Sequence, residues 1–388
     1  MTRTNMWTMA GYAAVVAVVA IWLLVLRGTM LDLAQQRKTC FDEQAGRNRD
    51  FYNRQIAACS ALIDAGQESE IGLVNAYALR AVANLRAQQF GQAVADLEEA
   101  IRRRPDNYTF HYNLSFAHAA LYEPEDAIKD LDQVLRLKPD FAAALGRRGM
   151  LYSENGQHEK AIADLKNALA LAPKERSLYA LMGGAYAAAD QCETALPYFR
   201  KATEMSAKDS WSFARMAGCL LRLQRGDEAI ATMDKAVALR PDAQSYRQRA
   251  GMQFSLKHYA AAVADLDQVL KKTDEAPYWN DRCWFRAIWG QQLKEALNDC
   301  NQALAREPGQ PAFLDSRGMV QYRLGDFADA KADYDAALHT SPDLVPSRYM
   351  RGLTRLKLGD AGGQDDIALA RKAGPKRVEY FEGLGLKP

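Results

Sequence analysis

A proline that recurs at a fixed interval constrains the fold of this chain more than any other feature. Most neighbouring prolines of the series lie 34 residues apart. Two intervals span about two periods: 68 residues between the third and fourth prolines, and 67 between the fourth and fifth. The series is Pro105, Pro139, Pro173, Pro241, Pro308 and Pro342. Alanine is plentiful between them and strand-forming residues are never clustered, which favours helices that each proline stops. The period predicts an all-α protein made of repeated units.

The segment over residues 142–173 shows the pattern within one unit. Each unit would contain a first helix, A, and a second helix, B, and Gly149 is the small residue where the two would cross. Ala161 and Leu165 follow at helical spacing on helix B, which Pro173 ends. This pattern closely resembles the consensus of the tetratricopeptide repeat (TPR) family. In the seventh unit Trp284 takes the place of the small residue. The small residue recurs elsewhere as Ala81, Ser115, Gly183, Ala217, Ala250 and Gly318.

The resemblance implies a right-handed TPR superhelix, an α-solenoid, in which each hairpin buries its apolar faces against its neighbours. Eight repeats begin near residues 74, 108, 142, 176, 210, 243, 277 and 311. The domains follow in chain order: a short N-terminal tail (1–8), a transmembrane anchor (9–26), a linker and helical N-cap pair (27–66), eight repeats (67–342), and a degenerate ninth repeat with a C-terminal capping helix (343–388).

The predicted anchor is an uncharged apolar run over residues 9–26 with Trp7 and Trp22 near its ends. At 1.5 Å per residue it reaches roughly 27 Å, enough to cross the hydrocarbon core of a bilayer. A cleaved signal peptide is the alternative, although no small-x-small cleavage site follows the run. The cations Arg27, Arg37 and Lys38 after the span favour a cytosolic C-terminal body.

The cysteines favour the opposite side of the membrane. No CxxC occurs. In the TPR register Cys283 and Cys300 take positions 7 and 24 of one repeat, which face each other in the family's hairpin. The same resemblance suggests the pairs Cys40–Cys59 and Cys192–Cys219. Three disulfides imply an oxidising compartment, so we place the array in the periplasm on a single-pass inner-membrane anchor. Buried thiols are the alternative, since unpaired cysteine often packs as a small apolar residue.

Residue patterns for catalysis or metal binding are absent from the sequence. It contains no HExxH, GxSxG, Walker or EF-hand motif, and its five histidines are scattered. The net charge of +2 gives no electrostatic reason to expect nucleic acid. We therefore predict no enzyme activity, no cofactor, no metal and no nucleic-acid partner.

A binding surface is expected on the concave wall, which the family builds mainly from helix A. Aromatic residues there supply contact area, and Arg and Asn supply hydrogen bonds, as suits an extended peptide or a partner helix. Several of these rings could instead pack against the next helix A. The predicted groove residues are Asn75, Tyr112, Asn113, Phe116, Arg147, Met150, Trp211, Arg215, Arg247, Phe254, Tyr278, Arg282, Phe285 and Tyr322.

The sequence thus predicts a non-enzymatic, membrane-anchored scaffold for protein–protein interaction, with a protein or peptide partner in the groove. The alternative function is that of an accessory or regulatory subunit of an envelope enzyme complex. An obligate subunit would co-purify with its catalytic partner in fixed stoichiometry after mild solubilisation.

The anchor is tested by placing a charge at its centre. Val18→Asp should strongly reduce retention in the membrane fraction, because a carboxylate at mid-bilayer costs about 3 kcal/mol. Fractionation with immunodetection measures this. A native chain whose intact mass begins after residue 26 would contradict the anchor.

Overall fold

The computed structural model describes residues 32–42 and 48–388, and all regular secondary structure in these two ranges is helical. The predicted anchor and tail lie outside the described residues. Within those ranges, no helix combines the length and the apolarity needed to cross a bilayer. The chain divides into two compact units, residues 1–190 and 191–388.

Unit 1 is a stack of antiparallel helical hairpins. Its helices are α1 (residues 32–40), α2 (Arg49–Ala65), α3 (Glu70–Arg86), α4 (Phe90–Arg103), α5 (Tyr108–Ala120), α6 (Pro124–Leu137), α7 (Ala142–Glu154), α8 (His158–Leu171) and α9 (Arg176–Ala188).

Unit 2 repeats this architecture and ends in a single short helix. Its helices are α10 (Cys192–Met205), α11 (Ser210–Arg222), α12 (Gly226–Leu239), α13 (Ala243–Ser255), α14 (Tyr259–Leu270), α15 (Ala276–Trp289), α16 (Leu293–Arg306), α17 (Pro311–Leu324), α18 (Phe327–Thr340), α19 (Val345–Lys357), α20 (Gly363–Ala373) and α21 (Pro375–Gly383).

The recurring proline marks the end of helix B, as the sequence predicts. Helix α4 ends at Arg103, two residues before Pro105, and α8 ends at Leu171, two residues before Pro173. The intervening residue leaves the helical region because the proline ring disfavours it there. Each hairpin then begins again with the next helix A.

The two helices of a hairpin touch where a small residue of helix A meets a large residue of helix B. We count repeat positions from residues 74, 108, 142, 176, 210, 243, 276, 311 and 345. The contact joins position 8 to position 24, or to position 25 in the seventh repeat, where helix B begins one residue later. A methyl group added at Gly149 would lie 2.9 Å from Cγ of Leu165, and one added at Gly318 would lie 2.8 Å from Cε1 of Tyr334. Close approach of the helix axes therefore requires the small residue.

Two of the three predicted disulfides are present, and Cys283–Cys300 occupies this contact. Cys283 and Cys300 are bonded with their Cα atoms 5.4 Å apart, and Cys40 and Cys59 with theirs 4.8 Å apart. Because α15 begins at Ala276, Cys283 stands at position 8, not 7. Cys283 therefore takes the place of the small residue, and the assignment of Trp284 to that place is wrong.

The predicted Cys192–Cys219 disulfide is wrong: both residues are buried but remain thiols. Cys192 is the first residue of α10. The equivalent residue of α12 is Gly226. A methyl group added at Gly226 would lie 2.7 Å from Cδ2 of Leu256, at the end of α13. The residue of α11 equivalent to Leu256 is Leu223, one helical turn beyond Cys219. Cys192 and Cys219 lie at the same end of neighbouring helices, but this does not bring their sulfur atoms within bonding distance.

The ninth hairpin is complete, although its sequence suggests a loss of register near residues 361–366. Helix α20 begins at Gly363 inside that segment. A methyl group added at Gly363 would lie 2.4 Å from the carbonyl oxygen of Gly352, so the two glycines let the backbones touch. The second helix is shorter than in the other repeats, with 11 residues.

The position 8–24 contact predicts an unusual response to Gly→Ala substitution. At a helix position with free space around it, Gly→Ala stabilises the folded protein by about 0.5–1 kcal/mol. We expect this result for Gly251→Ala in α13, where an added methyl group meets nothing within 4 Å. Gly318→Ala should instead destabilise by about 1–3 kcal/mol, because the methyl group overlaps the Tyr334 ring. Urea unfolding measures both.

A second substitution checks the cause. Tyr334→Leu in the Gly318→Ala background should recover stability, since the sixth repeat places Ala250 and Leu266 in one core cluster. Similar shifts for Gly318→Ala and Gly251→Ala would mean that the contact does not limit the fold.

Candidate functional site

A cavity of about 690 Å³ lies in unit 1 between the helices A of the first three repeats. Helices α3, α5 and α7 form its walls, and the starts of α4 and α6 close one end. The lining is mostly apolar with a few charged and amide groups: Val82, Leu85, Arg86, Phe90, Asn113, Phe116, Ala119, Ala120, Tyr122, Pro124, Arg147, Met150, Leu151, Glu154 and Asn155. We call it the α3–α5–α7 cavity.

Four predicted groove residues meet in this cavity because they share two repeat positions. Asn113 and Arg147 stand at position 6 of the second and third repeats, and Phe116 and Met150 at position 9. Positions three apart lie on one side of a helix, so they present a common surface. We call the side of the hairpins that carries positions 5, 6 and 9 the helix A face.

Arg147 is the main electrostatic feature of the cavity. Its Cζ atom lies 3.3 Å from the ring centroid of Phe116, a cation–π arrangement. Burial lowers the pKa of its guanidinium, and its Nε atom is buried without a hydrogen-bond partner among the described residues. A buried donor with no acceptor is unfavourable, so a ligand that accepts a hydrogen bond here would gain affinity.

The two remaining groove residues predicted for unit 1 lie elsewhere. Tyr112 does not line the cavity, and its ring packs edge-on against Phe116 and tilted against Phe141, with both centroid distances 5.1 Å. Burial raises the pKa of its hydroxyl. Tyr112 therefore supports the Phe116 ring from behind. Asn75 is exposed and does not line the cavity.

Sequence reasoning missed Tyr122, which lines the cavity with 92% of its surface exposed. It stands in the turn between α5 and α6 with φ +63°, in the left-handed region. Equivalent turns use glycine or a polar residue, such as Gly156 and Gln224. A bulky aromatic residue is a rare choice there and costs about 1 kcal/mol or more. The sequence feature that could have identified Tyr122 is an aromatic residue at a turn position where other repeats have glycine or a polar residue.

The predicted residues of unit 2 form separate pairs. Trp211 and Arg215 are exposed, with the Cζ atom 5.2 Å from the ring centroid. The rings of Phe254 and Phe285 stack at 4.0 Å.

Arg247 and Tyr322 complete that set. Arg247 lies over Tyr278 at 5.3 Å and pairs with Asp281 at 2.8 Å. Tyr322 is half-buried against Phe327 and a core cluster, so its ring is mainly structural.

Arg282 has a structural role and is not a groove residue. It donates two hydrogen bonds to the buried Asp299 of its own hairpin, at 2.9 and 2.6 Å, and one to Asp267 of the preceding hairpin at 2.6 Å. Arg286 also donates to Asp299. Position 7 thus links one repeat to the repeat before it.

The same arrangement recurs along the described chain, and we call it the Arg–Asp ladder. Position 7 donates to a buried aspartate of its own helix B in the pairs Arg80–Asp96, Arg148–Asp164, Arg249–Asp265, Arg282–Asp299, Arg317–Asp333 and Arg351–Asp366. The fourth repeat has Met182 and Tyr198 at these two positions, and the fifth has Met216 and Thr232.

The second repeat uses a histidine instead. His118 Nδ1 lies 2.8 Å from the carboxylate of Asp130. Burial raises the pKa of Asp130 to about 6, against the opposing effect of the His118 hydrogen bond.

The described residues contain no group of three or more acidic, His or Cys side chains arranged to hold a metal ion.

Known proteins resemble this chain in repeat sequence and in fold. Tetratricopeptide repeat models match residues 79–140, 142–175, 186–250 and 290–376, which together make up more than half of the chain. No curated protein sequence matches it. A tetratricopeptide repeat protein from Parabacteroides merdae is 19% identical, with 64% of this chain and 98% of that one covered and a TM-score of 0.51, which shows the shared fold.

Two further solved structures resemble part of the chain. PilF from Pseudomonas aeruginosa is 18% identical over 53% of this chain and 93% of its own, with a TM-score of 0.45. MamA from Desulfovibrio magneticus is 23% identical over 43% of this chain and 95% of its own, with a TM-score of 0.41.

The Arg–Asp ladder predicts which carboxylates the fold needs. Asp299→Ala should destabilise unit 2 by about 3–5 kcal/mol, because it leaves Arg282 and Arg286 as buried cations without their shared partner. Urea unfolding followed by circular dichroism measures this. The matched control is Asp126→Ala, which removes an exposed pair with Lys129 and should leave the transition unchanged. Equal effects would contradict a structural role for the ladder.

Proposed function

Because this chain belongs to the tetratricopeptide repeat family, we propose that it is a non-enzymatic scaffold that binds a segment of a partner protein in the α3–α5–α7 cavity. The observation that carries the proposal is the convergence of Phe116, Met150 and Arg147 on one cavity, with the Arg147 Nε lacking a hydrogen-bond partner in the described part of the chain. An apolar cavity with few polar groups is typical of a binding site.

The partner that fits is a peptide or helix with a bulky apolar side chain beside a hydrogen-bond acceptor. The apolar group would fill the space between Phe116 and Met150, and the acceptor would reach Arg147 and Asn113. The Tyr122 ring, at the rim, would cover the bound segment.

The scaffold is proposed to face the periplasm from an inner-membrane anchor over residues 9–26. The disulfides Cys40–Cys59 and Cys283–Cys300 support an oxidising compartment. The apolar sequence of residues 9–26 supports the anchor. An accessory subunit of an envelope enzyme complex would use the same cavity, and fixed stoichiometry after mild solubilisation would identify it.

Photo-crosslinking tests the cavity in the full chain. A photoreactive phenylalanine analogue at Met150 should give a discrete crosslinked product in cells that produce the protein naturally, identified by mass spectrometry. The control position is Lys166, exposed on α8 away from the cavity. The same product from both positions, or none from Met150, would contradict the proposal.

Tyr122 gives this experiment a second readout. Tyr122→Gly should stabilise the protein by about 1 kcal/mol, because glycine relieves the left-handed strain. It should also reduce crosslinking from Met150 about tenfold, as loss of an aromatic anchor does. Gln224→Gly, at the equivalent turn of another repeat, should stabilise without that loss. Unchanged crosslinking in Tyr122→Gly would remove Tyr122 from the site.

A further inference from the structure

Two neighbouring arginines of α7 have opposite surroundings. Arg148, at position 7, belongs to the Arg–Asp ladder, and its hydrogen bond to Asp164 raises the pKa of its guanidinium. Arg147, at position 6, lines the α3–α5–α7 cavity, and no carboxylate of the described residues accepts a hydrogen bond from it. Burial lowers the pKa of Arg147. The hairpin thus pairs one of these cations and leaves the other unpaired in the cavity wall.

The other charged groups of the cavity lining do not neutralise Arg147. Glu154 stands at position 13 of the same helix, roughly 10 Å further along the helix axis. Its attraction raises the pKa of Arg147 by less than burial lowers it. Arg86, at position 13 of the first repeat, adds a second positive charge to the lining. A cation buried without a counterion is costly, so the cavity favours an anionic group over a neutral one.

The guanidinium of Arg147 keeps a donor edge available for such a group. Its Cζ atom is 3.3 Å from the ring centroid of Phe116, a distance that requires the planar guanidinium to lie flat on the ring. The N–H groups lie in that plane, so stacking uses none of them. Arg148 shows what such an edge binds in this fold: its Nε and one Nη atom donate to the two oxygens of Asp164, at 2.7 and 2.8 Å. The Nε atom of Arg147 is buried and has no partner among the described residues.

An apolar surface lies directly beside this donor edge. Phe116 and Met150 stand at position 9 of the second and third repeats, and Phe116 is 37% exposed. At position 9 of the eighth and ninth repeats, Met319 and Leu353 are 1% and 2% exposed, in one core cluster with residues of α21. Position 9 is therefore covered by apolar side chains in unit 2 and open to a partner's apolar side chain in the cavity.

We propose that the bound partner segment presents the carboxylate of an aspartate or glutamate side chain to the Nε edge of Arg147. An apolar side chain beside that carboxylate fills the space between Phe116 and Met150. Because the guanidinium lies on the Phe116 ring, the two partner side chains must be close neighbours, such as residues three or four apart on a helix. The inference rests on the proposed function of the cavity and adds the charge of the partner.

The carboxylate is assigned to a side chain and not to a chain terminus. The starts of α4 and α6 close the cavity at the end where Glu154 and Asn155 stand. A chain terminus that entered as far as this end would place its carboxylate about two helical turns from Arg147. A segment that passes Arg147 reaches it with a side chain.

The charge requirement is tested with two probes of nearly equal shape, 3-phenylpropionate and 3-phenylpropanamide. Each is titrated into the full chain labelled in its methionine methyl groups, and the shift of the Met150 signal, assigned with Met150→Leu, gives the affinity. The carboxylate should bind about tenfold more tightly than the amide, because it can accept two charge-assisted hydrogen bonds from the guanidinium edge. Equal affinities, or no shift of the Met150 signal with either probe, would overturn the proposal.

The matched control is Arg215 of the fifth repeat. It also stands at position 6, and its guanidinium also lies over an aromatic ring, 5.2 Å from that of Trp211, but it is exposed and outside the cavity. Arg147→Met should abolish the preference for the carboxylate, whereas Arg215→Met, which removes the same charge, should keep it. A preference that survives Arg147→Met would overturn the proposal. The wild-type comparison needs no variant, so a folding defect in Arg147→Met would not hide the result.

The source of the carboxylate is read from the Met150 crosslink in cells. The crosslinked partner segment should carry an aspartate or glutamate within four residues of the attachment point, and replacing it with asparagine or glutamine should reduce crosslinking about tenfold. Attachment at the partner's C-terminal residue, or unchanged crosslinking, would overturn the side-chain assignment. Absence of any crosslink would remove the proposed function, while the two probes would still decide the charge requirement of the cavity, so the two proposals fail separately.

Discussion

The whole architecture depends on the close approach of helix A and helix B at positions 8 and 24. Where helix A has glycine, as at Gly149 and Gly318, the partner side chain of helix B occupies the space of the missing methyl group. Only a small residue permits this distance, and the large residue opposite fills the gap that remains. The Cys283–Cys300 disulfide falls at this contact and replaces the packing of a small against a large side chain with a covalent bond.

The Arg–Asp ladder then joins one hairpin to the next. Each position 7 arginine holds a buried carboxylate of its own hairpin, and several also reach a side chain on the hairpin before, as Arg148 reaches Asp132 at 2.6 Å. A buried carboxylate is stable only when it is paired and hydrogen-bonded. The pKa of Asp366 illustrates this: burial raises it, but hydrogen bonds from Arg351 and Arg355 bring it below its ordinary value.

The helix A face is used differently in the two units. In unit 1 Phe116 and Met150 line an open cavity beside Arg147, whose Nε has no hydrogen-bond partner among the described residues. In unit 2 Met319 and Leu353 are buried in one cluster with α21. The same repeat position is therefore a candidate binding surface in one unit and part of a hydrophobic core in the other. What covers the surface decides between these roles.

The sequence by itself determined the repeat and the ends of helix B at the prolines, which follow from local rules, namely helix termination by proline and the need for a small residue at a helix crossing. The TPR register predicted three disulfides, of which two are present. It also contained the Arg–Asp ladder, as an arginine and an aspartate 16 residues apart in Arg148–Asp164 and 17 apart in Arg282–Asp299, although the sequence alone placed Arg282 in the groove. Only the tertiary structure decided that Cys192 and Cys219 stay apart, that Tyr122 lines the cavity, and that α21 turns back onto the helix A face. These features depend on contacts between residues far apart in the chain, and the periodic pattern does not specify how an irregular terminal helix or a single turn packs in space.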